Sequence, residues 1–133
     1  MRYVLQVCQS DCHHILVVDD DQISCRVAVA MLNHLGYQAQ YVLNGEEAQN
    51  IMLCSSFDLV LLDWIMPSID GPAAVNLIRN GAAGAHHAEV PIIAVTADVI
   101  RYPRSVCLRS GVNGYLSKPI TLETLSVLLK EIL

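Results

Sequence analysis

The chain has 133 residues, of which 53% are hydrophobic, 16% charged and 5% aromatic, a balance that fits one compact domain with an aliphatic core and excludes disorder. Its 13 acidic residues against 8 basic ones leave a formal net charge of -5, which offers no broad attraction to nucleic acid or anionic lipid. The longest apolar runs, such as Val27 to Leu32, fall far short of the roughly 18 residues that cross a bilayer, and the stretch after Arg2 is too short for a secretory leader. A cytoplasmic domain without direct DNA or membrane contact is expected.

Residues 1–14 read as an N-terminal tail or linker, and residues 15–133 as the domain. Within the tail, Cys8-Gln-Ser-Asp-Cys12-His13-His14 has metal-ligand spacing, but four ligands from so short a segment would be cramped, and a plain tail is the simpler reading. The five cysteines are odd in number and unpaired in spacing, so reduced, mostly buried thiols are expected, with Cys25, Cys54 and Cys107 on helices.

From Ile15 onward, short apolar runs alternate with longer amphipathic ones, the rhythm of βαβ units. Ile15 to Val18 and Leu59 to Leu62 are free of polar residues, as central parallel strands buried on both faces require. Pro91 to Val95 reads the same way, with proline at the first strand position. Gln38 to Val42 and Tyr115 to Ser117 are more polar and suit the sheet edges.

Between the strands, Ile23, Val27, Ala30, Met31 and Leu35 repeat at helical spacing up to Gly36, a natural stop. Asn44 followed by Glu47 marks the start of a second helix with Ala48, Ile51 and Met52 inward. A third helix begins near Pro72 and fades around Arg79, followed by a loop from Asn80 to Glu89. A fourth covers roughly Val99 to Ser110, with Pro103 predicting that it is distorted or starts late. The last spans about Leu122 to Ile132, capped by Thr121, with Leu122, Leu125, Leu129 and Ile132 on one face. This is a doubly wound α/β domain of five parallel strands and five helices, in which ligands bind outside the carboxyl ends of the strands.

At those ends stand Asp19-Asp20-Asp21, Asp63, Thr96 and Lys118-Pro119. Carboxylates crowded in one crevice repel each other and call for a cation, and hard oxygen ligands suit Mg²⁺. Thr96 offers a hydroxyl and Lys118 an ammonium to an anion beside that metal, most plausibly a phosphoryl group. A carboxylate nucleophile, Mg²⁺, a hydroxyl and a lysine suffice to form an acyl phosphate.

The segments Ile15-Leu-Val-Val-Asp19-Asp20-Asp21, Asp58-Leu-Val-Leu-Leu-Asp63-Trp-Ile-Met-Pro67 with Asp70-Gly71, Pro91-Ile-Ile-Ala-Val-Thr96-Ala97 and Gly114-Tyr115-Leu-Ser-Lys118-Pro119 resemble those of response-regulator receiver domains, the phosphoacceptor modules of two-component signalling. The resemblance implies that Asp63 is phosphorylated, and that Asp19, Asp20, Asp63 and the backbone carbonyl of Ile65 hold Mg²⁺. It implies that Thr96 and Lys118 contact the phosphoryl oxygens and that Tyr115 moves inward with Thr96, switching the surface of helix four, strand five and helix five. It further implies a flavodoxin-like strand order 2-1-3-4-5 and a cis Lys118-Pro119 bond.

Arg26-Val27-Ala28, Leu35-Gly36-Tyr37 and Asn44-Gly45-Glu46-Glu47-Ala48 look most like receivers of hybrid sensor histidine kinases. The phosphoryl donor would then be a histidine kinase or histidine phosphotransfer domain. The domain would catalyse its own phosphorylation and dephosphorylation, with any kinase activity in another domain; a free-standing receiver is the alternative. A rival of another class is a haloacid-dehalogenase-like phosphatase with Asp19 as nucleophile, a reading that leaves Asp63 idle.

Overall fold

The computed structural model describes residues 13–133. The segment that carries Tyr3, Cys8 and Cys12 lies outside the described residues. Five strands, β1 (His14–Val18), β2 (Gln38–Val42), β3 (Leu59–Asp63), β4 (Ile92–Thr96) and β5 (Gly114–Ser117), form one parallel sheet in the order β2-β1-β3-β4-β5. Five α-helices connect or follow them: α1 (Gln22–His34), α2 (Gly45–Cys54), α3 (Gly71–Arg79), α4 (Arg104–Arg109) and α5 (Leu122–Ile132). The two polar strands are the edges, where one side of the ladder needs no apolar neighbour.

The sheet divides the core into two layers because side chains alternate along each strand. Leu16, Val18, Val60, Leu62, Ile92 and Ala94 face α2, α3 and α4, together with Met52, Val75 and Ile78. Ile15, Val17, Leu59, Leu61, Ile93 and Val95 face α1 and α5, together with Cys25, Leu32, Leu125 and Leu129. Each fully buried Leu or Ile contributes roughly 2 kcal/mol of transfer free energy, so the three central strands anchor the fold.

Helix starts follow their caps. Asn44 Oδ1 accepts from Glu47 N–H at 2.8 Å, while Glu47 Oε1 reaches back to Leu43 N–H at 3.0 Å. Asp70 caps α3 through Ala73 N–H, with Pro72 in the first turn. Thr121 and Thr124 cap α5 reciprocally. Pro103 makes α4 start late, at Arg104, leaving Ala97–Pro103 as a loop. The connection from Asn80 to Glu89 holds only the 3₁₀ turn Ala85–His87. Arg79 at the end of α3 donates to the carbonyls of Ala88, Val90 and Gly111 and to Asn113 Oδ1, tying the α3–β4 and α4–β5 loops together at the lower edge.

Two helices pack differently from the apolar stripes read off the sequence. In α1 the buried residues are Cys25, Ala28 and Leu32, whereas Ile23 and Val27 are 73% and 49% exposed. The helix is apolar on more than one face, and packing against β1 and β2 selected the stripe with the smaller residues. In α5, Leu125 and Leu129 are fully buried but Leu122, in the first turn beyond the sheet, is exposed. Of the described cysteines Cys25 and Cys107 are buried, but Cys54 ends α2 and is exposed. No helix among the described residues is long and apolar enough to cross a membrane.

Candidate functional site

Strand register brings the chemistry together. Val18 pairs with Leu62 across β1 and β3, so Asp19, the next residue, stands level with Asp63. Asp63 in turn pairs with Val95 of β4, and Thr96 follows directly. Thr96 pairs with Ser117 of β5, after which Lys118 N–H donates to the Thr96 carbonyl at 2.8 Å. The chain thus gathers Asp19, Asp63, Thr96 and Lys118 without any of them being close in sequence.

Carboxylate oxygens of Asp19, Asp20 and Asp63 all lie within 4.8 Å of one another. Asp19 and Asp63 are buried and Asp20 is exposed, so the cluster is open on one side. Lys118 Nζ sits 3.0 Å from Asp19 Oδ2 and 3.7 Å from Asp63 Oδ1. Asp21 does not join the cluster: its carboxylate takes Ser24 Oγ–H at 2.7 Å and Ile23 N–H at 3.3 Å, capping α1. Asp21 N–H meanwhile donates to Asp19 Oδ1 at 2.9 Å and fixes that side chain.

Burial, then the charge of Asp19, pushes the Asp63 carboxyl up to about 7, against the opposing pull of Lys118. Burial pulls the Lys118 ammonium down, but its hydrogen bond to Asp19 and the charges of Asp63 and Asp19 outweigh that, holding it above its ordinary value. One ammonium does not neutralise three carboxylates. Oxygen-only donors with an open, hydrated side fit a small hard divalent cation better than a transition metal.

Thr96 is fully buried, with Oγ1 accepting from Asp98 N–H at 3.0 Å. Tyr115 pairs with Ala94 of β4, two residues before the partner of Thr96 on the edge strand; it is half-buried, and its hydroxyl donates to the Tyr102 carbonyl at 2.8 Å. Ile65, two residues after Asp63, has an exposed side chain and a backbone hydrogen bond to the Asp63 carboxylate. The Lys118-Pro119 bond is cis.

Sequence reasoning missed two contributors. Cys25 Sγ–H donates to the Asp19 carbonyl at 3.2 Å from beneath, and burial pushes this thiol up to about 12, so it acts as a neutral donor. The sequence carried no signal for it, because packing against β1 and β2 decided which stripe of α1 turns inward. Tyr102 is the other, and since it contributes only a carbonyl, no side-chain pattern could have marked it.

A sequence profile of the response regulator receiver domain family matches residues 15–130. The sensor histidine kinase RcsC of Salmonella typhimurium is 37% identical over 111 residues, covering 84% of this chain and 11% of that protein. Histidine kinase 5 of Arabidopsis thaliana is 33% identical, covering 90% of this chain and 15% of that protein. The chain therefore spans only a small part of these curated relatives. Among solved structures, the receiver domain of a sensor histidine kinase from Pseudomonas aeruginosa, with a magnesium ion coordinated in its active site cleft, superposes with a TM-score of 0.78. It is 34% identical, over 91% of this chain and 97% of that one. A response regulator from Chloroflexus aurantiacus reaches a TM-score of 0.82 at 27% identity, over 92% and 98%. These matches give no support to the phosphatase reading with Asp19 as nucleophile. With its parallel sheet in the order 2-1-3-4-5, its acidic cluster and its lysine at successive strand ends, the chain belongs to the response regulator receiver domain family.

Proposed function

We propose that the domain accepts a phosphoryl group on Asp63 from a phosphohistidine donor and uses it to switch the surface formed by α4, β5 and α5. The observation that carries this reading is the clustering of Asp19, Asp20 and Asp63 within 4.8 Å, beside an ammonium 3.7 Å from Asp63. Asp19, Asp20, Asp63 and the Ile65 carbonyl would hold Mg²⁺, in keeping with the oxygen-only donor set. Mg²⁺ supplies neutralisation of phosphoryl charge and of the carboxylate repulsion.

The chain's own residues do the rest. An Asp63 oxygen attacks phosphorus, the P–N bond to the donor imidazole breaks, and an acyl phosphate forms. Lys118 already stands over Asp19 and Asp63, so it moves little to meet a phosphoryl oxygen. Thr96 Oγ1–H turns to the new anion, and its hold on Asp98 N–H loosens. Tyr115 follows into the space beside Thr96, which reshapes the Ala97–Pro103 loop. Hydrolysis of the same acyl phosphate would end the signal.

The donor is a histidine kinase or histidine phosphotransfer domain, and the parent protein is a hybrid sensor histidine kinase, in keeping with relatives named as a sensor histidine kinase and a histidine kinase. In that setting the residues before β1 serve as a linker, the chain from β1 onward is the receiver, and the domain works in the cytoplasm without touching nucleic acid or membrane. Incubation with Mg²⁺ and acetyl phosphate tests the reading. Phosphate should be found on Asp63, lost in Asp63→Asn and retained in Asp21→Asn. Label on Asp19 or on a hydroxyl would sink it.

A further inference from the structure

Asp19 is held through both its side chain and its backbone. Oδ1 accepts from Asp21 N–H at 2.9 Å and Oδ2 from Lys118 Nζ at 3.0 Å, while its N–H donates to the Val42 carbonyl of β2 at 3.2 Å. Its carbonyl accepts from the Cys25 thiol at 3.2 Å, and the same sulfur lies 4.0 Å from the Val42 carbonyl. Cys25 stands in the first turn of α1, where its own N–H donates to the Asp21 carbonyl at 3.0 Å. One residue thus brackets the turn from Asp19 to Asp21, by its side chain at one end and its backbone at the other. It is fully buried, where a carbonyl left without a donor is costly.

The carbonyl that Cys25 holds belongs to the peptide joining Asp19 to Asp20, and a planar peptide carries its orientation to both ends. Fixing it sets the direction in which Asp20 leaves the strand end and the direction of the Asp21 N–H that reaches Asp19 Oδ1. Asp20 is exposed on the open side of the acidic cluster, so its place among the carboxylates depends on the turn rather than on packing around its side chain. Resting on the reading above that Asp19, Asp20 and Asp63 hold Mg²⁺, we infer that Cys25 is a positioning residue: its thiol, through the Asp19–Asp20 peptide, sets the spacing of the strand-end carboxylates and with it the affinity for the divalent cation. It touches neither the metal nor the phosphoryl group. Losing an outer hydrogen-bonding partner of a metal ligand typically costs about 10- to 100-fold in affinity, and a thiol, as a weak donor, belongs at or below the lower end of that range.

Plain core packing is the competing role, and substitution separates the two: alanine and serine both give up the bulk of sulfur, whereas only serine keeps a donor. In the full chain, Cys25→Ala should raise the Mg²⁺ dissociation constant, read from Trp64 fluorescence, about three- to tenfold, and Cys25→Ser should stay within about twofold of the parent. Cys25→Val, which refills the space without a donor, should lose as much as Cys25→Ala and replaces it if the alanine variant does not fold. Without metal, amide hydrogen exchange at Asp20 and Asp21 should quicken in the alanine and valine variants but not in the serine variant. Labelling of Asp63 by acetyl phosphate should need more Mg²⁺ in Cys25→Ala yet come within about twofold of the parental rate once the ion saturates, a split that general loosening of the core would not produce. Equal Mg²⁺ affinity in parent and Cys25→Ala, or equal losses in Cys25→Ala and Cys25→Ser, would overturn the role of the thiol and leave the phosphoacceptor reading intact. A parent chain without any response to Mg²⁺ would strike at that reading instead, while the metal-free exchange comparison still decides whether Cys25 holds the turn.

Discussion

The hydroxyl of Tyr115 on edge strand β5 donates a 2.8 Å hydrogen bond to the backbone carbonyl of Tyr102, in the loop that Pro103 keeps from being helix. The same loop is held at its other end by Thr96 Oγ1, through Asp98 N–H. It is closed upon itself by Tyr102 N–H to the Asp98 carbonyl and Arg101 N–H to Asp98 Oδ1. Both proposed switch residues therefore grip one segment, and moving either one loosens it.

Tyr115→Phe removes one of the two grips without emptying the space the ring fills. The expected cost is about 1 kcal/mol of unfolding free energy, the usual net value of one such bond. Hydrogen exchange should speed up in residues 97–103, and Mg²⁺ affinity should stay unchanged. Equal exchange in variant and parent would mean that the bond does not restrain the loop.

Lys118→Ala should separate two roles by sign. Without the ammonium, Asp19 and Asp63 face a divalent cation with nothing to offset their charge, so Mg²⁺ should bind roughly three- to tenfold more tightly. Phosphorylation by acetyl phosphate should fall by about 100-fold or more, because a preorganised cation for the phosphoryl oxygens is gone. Trp64, the chain's single tryptophan, buried and adjacent to Asp63, offers a fluorescence readout for the metal titration. Weaker Mg²⁺ binding in the variant would contradict the electrostatic account.

Gly71 lies where the chain turns back beneath that tryptophan. A Cβ there would run into the Trp64 ring at Cδ2, and its backbone needs no left-handed φ, so the demand for glycine is purely one of space. Gly71→Ala should cost about 3 kcal/mol in urea denaturation through overpacking. It should also weaken the fluorescence response to Mg²⁺, since the displaced ring is next to Asp63.

His87 is buried at the pole opposite the site, with Nε2 accepting from Phe57 N–H at 3.0 Å and Nδ1–H facing the Ala83 carbonyl at 3.2 Å. A protonated ring cannot accept from Phe57. Burial first, and then the neighbouring His86, holds its pKa below the ordinary 6.5. With the folded-state value depressed, the folded protein binds fewer protons, so this contribution to stability is complete above about pH 6.5 and declines as pH falls below it. Urea midpoints measured from pH 7.5 down to 5 should fall more steeply for the parent than for His87→Phe. Parallel curves would show that His87 does not carry the dependence.

Much of the architecture could be read directly. Leu59 to Leu62 and Ile15 to Val18 read as strands covered on both faces, and the Thr121 cap with its three spaced leucines and one isoleucine locates α5 from Leu122 to Ile132 as found. The acidic residues and the threonine could be nominated because each directly follows or ends an apolar run, and the lysine because it follows the last strand; parallel sheets put all such ends on one rim.

What the order of residues did not decide was which of several apolar stripes on α1 turns inward. A helix with Ile23, Val27 and Met31 on one side and Cys25, Ala28 and Leu32 on another satisfies the same periodicity twice. Only the close approach of β1 and β2 selects the stripe with the smaller residues and leaves the larger ones beside Asp63. The Tyr115 to Tyr102 bond is likewise tertiary, because its acceptor is a carbonyl that every residue possesses. Distances among Asp19, Asp63 and Lys118, and through them the charge each carries, follow from strand register, which is set by packing across the whole sheet rather than by any local run of sequence.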